Sequence, residues 1–128
     1  MTQETPPPSP STTVEKLEVP KITIEDFFKV QLRVAKILHA EPVPKSKKLL
    51  KFDVEIAGEK RQILSGIAQH YDPQTLIGRH VVVVANLQTA KLMGLESQGM
   101  ILAVMTENEE KLSVVEVSEN FPSGSEVR

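Results

Sequence analysis

Residues 30–38 read VQLRVAKIL. Val30, Leu32 and Val34 recur at every second position, as the inward face of a strand does. The apolar register then moves by one residue, to Ala35 and Ile37. A slip of one residue inside a strand predicts a bulge or a strong bend, which a sheet closing into a small barrel requires. The fold turns on this stretch, and its neighbours extend the pattern.

Downstream, LLKFDVEIAG (49–58) alternates without interruption, with Leu50, Phe52, Val54 and Ile56 inward and Lys51, Asp53 and Glu55 outward. Gly58 and Glu59 are expected to turn the chain into KRQILSG (60–66). DPQTLIG (72–78) carries the marks of a short helix, with Asp72 as cap, Pro73 in the first turn and Gly78 as the stop. RHVVVVANL (79–87) is β-branched enough to be buried on both faces. MILAVM (100–105) and LSVVEV (112–117) complete the set, joined by the acidic turn TENEEK. Upstream, Thr23 is placed to cap a short helix, with Asp26 three residues on and Phe27 and Phe28 as plugs into a core.

Five main strands of uneven length, one of them bent, with a helix between the third and fourth, predict an all-β, five-stranded OB-fold barrel with short helices. An SH3-like barrel also uses five short strands but needs no helix at that point. Residues 22–128 form this domain. Residues 1–21 hold five of the nine prolines, with Ser and Thr between them, and read as an extended, solvated, disordered leader or linker.

Composition narrows the function. The 128 residues contain no cysteine, which excludes disulfides, thiol catalysis and Cys-based zinc sites. The apolar runs are too short to span a bilayer, and no signal-peptide pattern opens the chain, so a cytoplasmic protein is expected. His39, His70 and His80 lie far apart without acidic partners at ligand spacing, and no GxSxG, GxGxxG or Walker loop is present. A non-catalytic protein without metal or cofactor is expected.

Charge is distributed unevenly. The net charge is −2, yet residues 1–28 carry −3, residues 29–91 carry +6 and residues 92–128 carry −5. An acidic chain can thus present one basic face to a polyanion, unless its lysines are merely scattered surface groups. Arg33 and Lys36 stand on the first strand, Lys45, Lys47, Lys48 and Lys51 surround the entry to the second, and Asn86 ends the fourth. Lys91 follows, and then Ser97, Gln98, Gly99 and Met100. These fall on the loops after strands 1 and 4, which flank the nucleic-acid face of OB barrels. Lys and Arg would meet phosphate. Gly99 would permit close backbone approach, and Ser97 and Asn86 would offer short hydrogen-bonding groups. Met100 would supply an apolar contact to a base or ribose in a chain with only 4% aromatics. Composition alone favours the other reading, in which Met100 is the first inward residue of strand 5 and Ser97 merely shapes a turn.

ITIEDFFKVQLRVAKIL (22–38), KRQILSGIA (60–68), VVVVANL (81–87) and KLMGLESQGMILA (91–103) together resemble a known family. It is the tRNA-binding domain appended to bacterial methionyl-tRNA synthetases, with relatives among free-standing structure-specific tRNA-binding proteins and the cytokine-like endothelial monocyte-activating polypeptide. The resemblance covers residues 22–128. It implies an OB-fold, homodimerisation through the N-terminal helix and the PSGSEV segment, and recognition of the L-shape of tRNA. It also implies tRNA-binding roles for Lys48, Asn86, Ser97 and Met100, with Arg33 matching a basic position in the RV motif. Gln31 departs from the Asp common in relatives. No nucleotide-binding signature of a synthetase is present, so the resemblance implies a module raising the tRNA affinity of a methionyl-tRNA synthetase catalytic body, in cis or in trans. The rival is a peptide-binding export-chaperone relative of the same fold, for which the four clustered lysines have little use.

Overall fold

The structure, a computed structural model, describes residues 19–128; most of the Pro-rich leader lies outside the described residues. Its first element is α1 (Ile24–Phe27), capped by Thr23, whose hydroxyl accepts from the Asp26 amide at 3.0 Å. One turn of helix buries none of its residues. Phe28 is exposed and Phe27 half-buried, so the aromatic pair packs on itself rather than plugging the core.

β1 (Leu32–Pro42) is longer than expected and is the spine of the barrel. Along one edge it pairs with β4 (His80–Val84), from Leu32↔Val84 to Lys36↔His80. Along the other it serves two partners, β11 (Glu126–Val127) at Leu32 and Arg33, then β2 (Leu50–Ile56) from Lys36 onward. Val34 and Ala35, at the apolar slip, are both buried. The bulge itself lies slightly further on, between Ile37 and His39, and bends β1 around the core.

β2 alternates as its sequence demands, with Leu50, Phe52, Val54 and Ile56 buried. It turns into β3 (Glu59–Ser65) through Ala57 and Gly58, both at positive φ, one residue earlier than expected. Positive φ at both central residues makes a type I′ turn, whose twist matches the strands it joins. The 72–78 segment is a single 3₁₀ turn, Pro73–Leu76, with the Asp72 carboxylate accepting from the Gln74 amide at 3.1 Å. Val81 to Val84 are all buried, and β4 ends there, leaving Asn86 two residues beyond it.

MILAVM and LSVVEV do not form two continuous strands. β7 (Met100–Ile101) and β10 (Glu116–Val117) share the second edge of β4, so together they are the fifth barrel strand. Between them β8 (Ala103–Met105) and β9 (Leu112–Val114) leave the sheet as a ribbon. Leu102 is the branch point, donating to Val82 and accepting from Val115. The segment before β7 is itself a hairpin, β5 (Ala90–Leu92) and β6 (Leu95–Ser97), joined by a second positive-φ pair, Met93 and Gly94.

The sheet order β10-β4-β1-β2-β3 curls into an OB-fold barrel around Phe52, Ile37, Leu50, Ile63 and Leu76. Among the described residues the far edge of β3 has no strand to meet. It is closed by the Ser97–Gly99 segment, where Gln98 N–H donates to the Gln62 carbonyl at 2.8 Å and Gln98 Oε1 accepts from the Gln62 amide at 3.0 Å. Among the described residues no helix is long and apolar enough to cross a membrane.

Candidate nucleic-acid interface

The β1–β2 loop is shaped before any ligand arrives. Ser46 Oγ accepts from the amides of Lys48 and Leu49, at 3.2 and 3.0 Å, and Lys45 takes a positive φ of 70° to complete the turn. Buried Val43 anchors the loop from below, while Lys45, Lys47 and Lys48 stay exposed. The Lys48 carbonyl accepts from the Ala68 amide at 2.9 Å, which ties the loop to the end of β3. Among the described residues these three lysines enter no salt bridge.

Lys51 continues the basic surface on β2, with its ammonium 3.5 Å from Glu41. His39 Nε2 lies 2.9 Å from the same carboxylate. The hydrogen bond from His39, then the charge of Lys51, hold the Glu41 carboxyl below its ordinary value. Glu41 therefore stays ionised beside Lys51 and offsets part of its charge.

LESQGM is mostly a seam. Ser97 is the one buried polar residue among those described, and its hydroxyl accepts from the Leu64 amide at 3.0 Å and donates to the Gly99 carbonyl at 3.1 Å. Gln62 Nε2 reaches back to the Glu96 carbonyl at 2.8 Å. Gly99 is needed where it stands: its φ is 151°, and an added Cβ would lie 3.0 Å from the Val84 carbonyl oxygen and 3.2 Å from Ile63. Met100 is a strand residue, as one reading of the sequence had it, but it faces outward and is 46% exposed while Ile101 points in.

Arg33 and Asn86 gather elsewhere. The Arg33 guanidinium donates to the Gly124 carbonyl at 3.3 Å and to Gln31 Oε1 at 3.0 Å, so Gln31 still serves as a neutral partner. Asn86 Oδ1 accepts from the Gln31 amide at 2.8 Å, and its Nδ2 donates to the Lys29 carbonyl at 2.7 Å. Both tether terminal segments at the start of β1. The lysine loop follows the other end of that strand, up to roughly 30 Å away at about 3.3 Å per residue. Lys91 stands exposed on β5, across from Glu96.

Beside the lysine loop is an open groove of about 450 Å³, lined by Leu64 to Ile67 on one wall and by Met100, Met105, Leu112 and Glu109 on the other. Met105 and Leu112 were not legible as site residues, because only the cross-strand pairing of the ribbon puts them on one face. Arg61, also unremarked in the sequence, bridges the carbonyls of Ala85 and Gln98 and fastens β3 to the loops that flank it. Among the described residues no group of His, Asp and Glu gathers as a metal site would need.

Comparison with known proteins gives three findings. The family profile described as "Putative tRNA binding domain" matches residues 32–126. The methionine–tRNA ligase of Clostridium acetobutylicum is 59% identical over 109 residues, 85% of this chain but 17% of the ligase. The chain thus spans about one-sixth of the length of such relatives. Among solved structures, a "MetRS related protein" of Pyrococcus horikoshii superposes with a TM-score of 0.82 at 34% identity, covering 86% of this chain and all of that one. The chaperone CsaA of Bacillus anthracis reaches 0.76 at 23% identity, over 85% of this chain and all of that one, which speaks for a shared fold alone.

Proposed function

This chain belongs to the tRNA-binding domain family, and from that premise we propose that it is a non-catalytic module recognising the folded shape of tRNA. In this reading it raises the tRNA affinity of a methionyl-tRNA synthetase catalytic body, in cis or in trans, in the cytoplasm. The observation that carries the reading is the preformed β1–β2 loop, in which Ser46 and the Ala68 bond hold three exposed lysines that meet no acidic partner among the described residues. A preformed cationic loop loses little entropy on meeting phosphates, which favours a partner whose own backbone is already fixed in shape.

Lys48, with Lys51 and Lys91, contacts phosphate, and Met100 contacts a base or ribose. Ser97, Gln98 and Gly99 act through the seam that sets the height of Met100. Asn86 and Arg33 act by holding the terminal segments against β1. The apolar groups those segments leave exposed, Ile24, Phe28, Val30 and Phe121, form the contact between two copies in a homodimer.

The test is binding of folded total tRNA, against single-stranded RNA of equal length, as salt is raised. Preference for folded tRNA persisting near physiological salt supports the reading; equal binding to both, erased by salt, overturns it. Lys48→Ala should lower the slope of log affinity against log salt by about one phosphate equivalent.

A further inference from the structure

We propose that the groove beneath the β8–β9 ribbon is a subsite for one unpaired nucleotide of tRNA whose base carries an exocyclic amino group. The inference rests on the tRNA-binding reading and goes beyond it by assigning Met105, Leu112 and Glu109 a ligand.

The groove has a floor and two unlike rims. Its apolar surface comes from Met100 on β7, Met105 and Leu112 on the ribbon, and Ile67 after β3. Met105 and Leu112 are cross-strand partners and share a face. Met105 remains 52% exposed and Met100 46%, far more open than the adjacent Ile101 at 6%. Thioethers at this exposure offer a polarizable surface that conforms to a flat ring. The volume, about 450 Å³, falls within the roughly 300–1,000 Å³ of small-ligand clefts.

One rim adjoins the lysine loop without being lined by it: Ala68, next to the wall residue Ile67, donates to the Lys48 backbone carbonyl, which ties the chain that carries the exposed Lys48 beside the groove. The other rim is a carboxylate, Glu109, held at a φ of 57° in a turn closed by the Glu109 amide on the Thr106 carbonyl and the Lys111 amide on Thr106 Oγ1. Phosphate belongs at the first rim and is repelled by the second. The amino group of cytosine, adenine or guanine finds an acceptor in Glu109, whereas uracil has no amino group and sets its O4 acceptor where cytosine carries the donor. A nucleotide therefore lies with phosphate towards Lys48, its base on the methionines and its amino edge at Glu109.

The chain's four methionines make the test direct. With methyl-¹³C methionine, millimolar CMP should shift the Met100 and Met105 signals more than UMP does. Met93, on the β5–β6 turn outside the groove, serves as internal control. Glu109→Gln should abolish the preference for CMP over UMP. Met105→Ala, at an exposed site that spares the fold, should weaken tRNA binding roughly five- to hundredfold, as loss of one stacked base would. If tRNA binds but neither tRNA nor CMP moves the Met105 signal, the subsite is overturned while the tRNA-binding reading stands. If tRNA does not bind, both fall. Shifts with a lysine-flanked apolar peptide, and none with CMP, would make the groove a peptide site and likewise overturn the proposal.

Discussion

Ser97 is where a contact role and a structural role separate by experiment. Its hydroxyl accepts from the Leu64 amide at 3.0 Å, on the edge of β3 that pairs with no strand among the described residues. Both residues are 5% exposed. Ser97→Ala removes the acceptor and leaves a void of a single oxygen, too small and too poor in polar partners to admit water. A buried amide left without a partner costs about 1–3 kcal/mol. Domains of this size have only about 5–15 kcal/mol in hand, and each kcal/mol moves the midpoint by roughly 4–8 °C in the smaller ones. Urea unfolding of Ser97→Ala should show that loss at unchanged m-value, and hydrogen exchange should show the Leu64 amide deprotected. At a temperature where both variants are folded, Ser97→Ala should keep more tRNA affinity than Met100→Ala, whose side chain is free. A stability change under about 0.5 kcal/mol with Leu64 still protected would refute the seam, and the reverse ranking of tRNA affinities would make Ser97 a direct contact.

Gly124→Ala would set a Cβ 2.6 Å from the Ala57 Cβ at a φ of 91°. It should cost at least the roughly 1–3 kcal/mol typical of overpacking, with partial recovery on adding Ala57→Gly, both read from urea midpoints. Asn86→Ala should deprotect the Gln31 amide and loosen α1 at a global cost of roughly 1 kcal/mol or less, visible by hydrogen exchange, because both its bonds are exposed. Glu41 is a depressed carboxylate, so whatever stability it contributes is present above its unfolded value and lost as pH falls through the lower folded one. His39→Ala removes the largest cause, and an NMR titration should find Glu41 moved up towards its ordinary range; an unmoved value would assign the depression to Lys51.

The elements legible in the sequence were those whose cause is local. Leu50 to Ile56 alternate because successive side chains of a strand face opposite sides, and Thr23 and Asp72 cap because their oxygens reach amides two or three residues on. What escaped depends on partners far along the chain. β11 is two residues long and exists only because Leu32 and Arg33 offer it an edge. The fifth strand is divided because Leu102 bonds both Val82 and Val115, a branching that no periodicity announces. The slip at Ala35 announced a bend, but the pairing with β2 put the bulge beyond Ile37.

The same division explains why LESQGM mixes residue types that suit neither a core nor a loop. Closing a barrel without a full strand requires side-chain donors and acceptors at the gap, which Ser97 and Gln98 supply to Leu64 and Gln62. It also requires a residue without a side chain, since a Cβ at position 99 would lie 3.0 Å from the Val84 carbonyl oxygen, and Gly99 meets that need. With the seam made by these three, Met100 opens β7 opposite Val84 and is not drawn inward, because inward is Ile101. The polar residues are consumed by the fold and the apolar one is left to solvent, where it is open to a ligand. That is the physical reason to look for contact at Met100 and its neighbour Met105 rather than at Ser97.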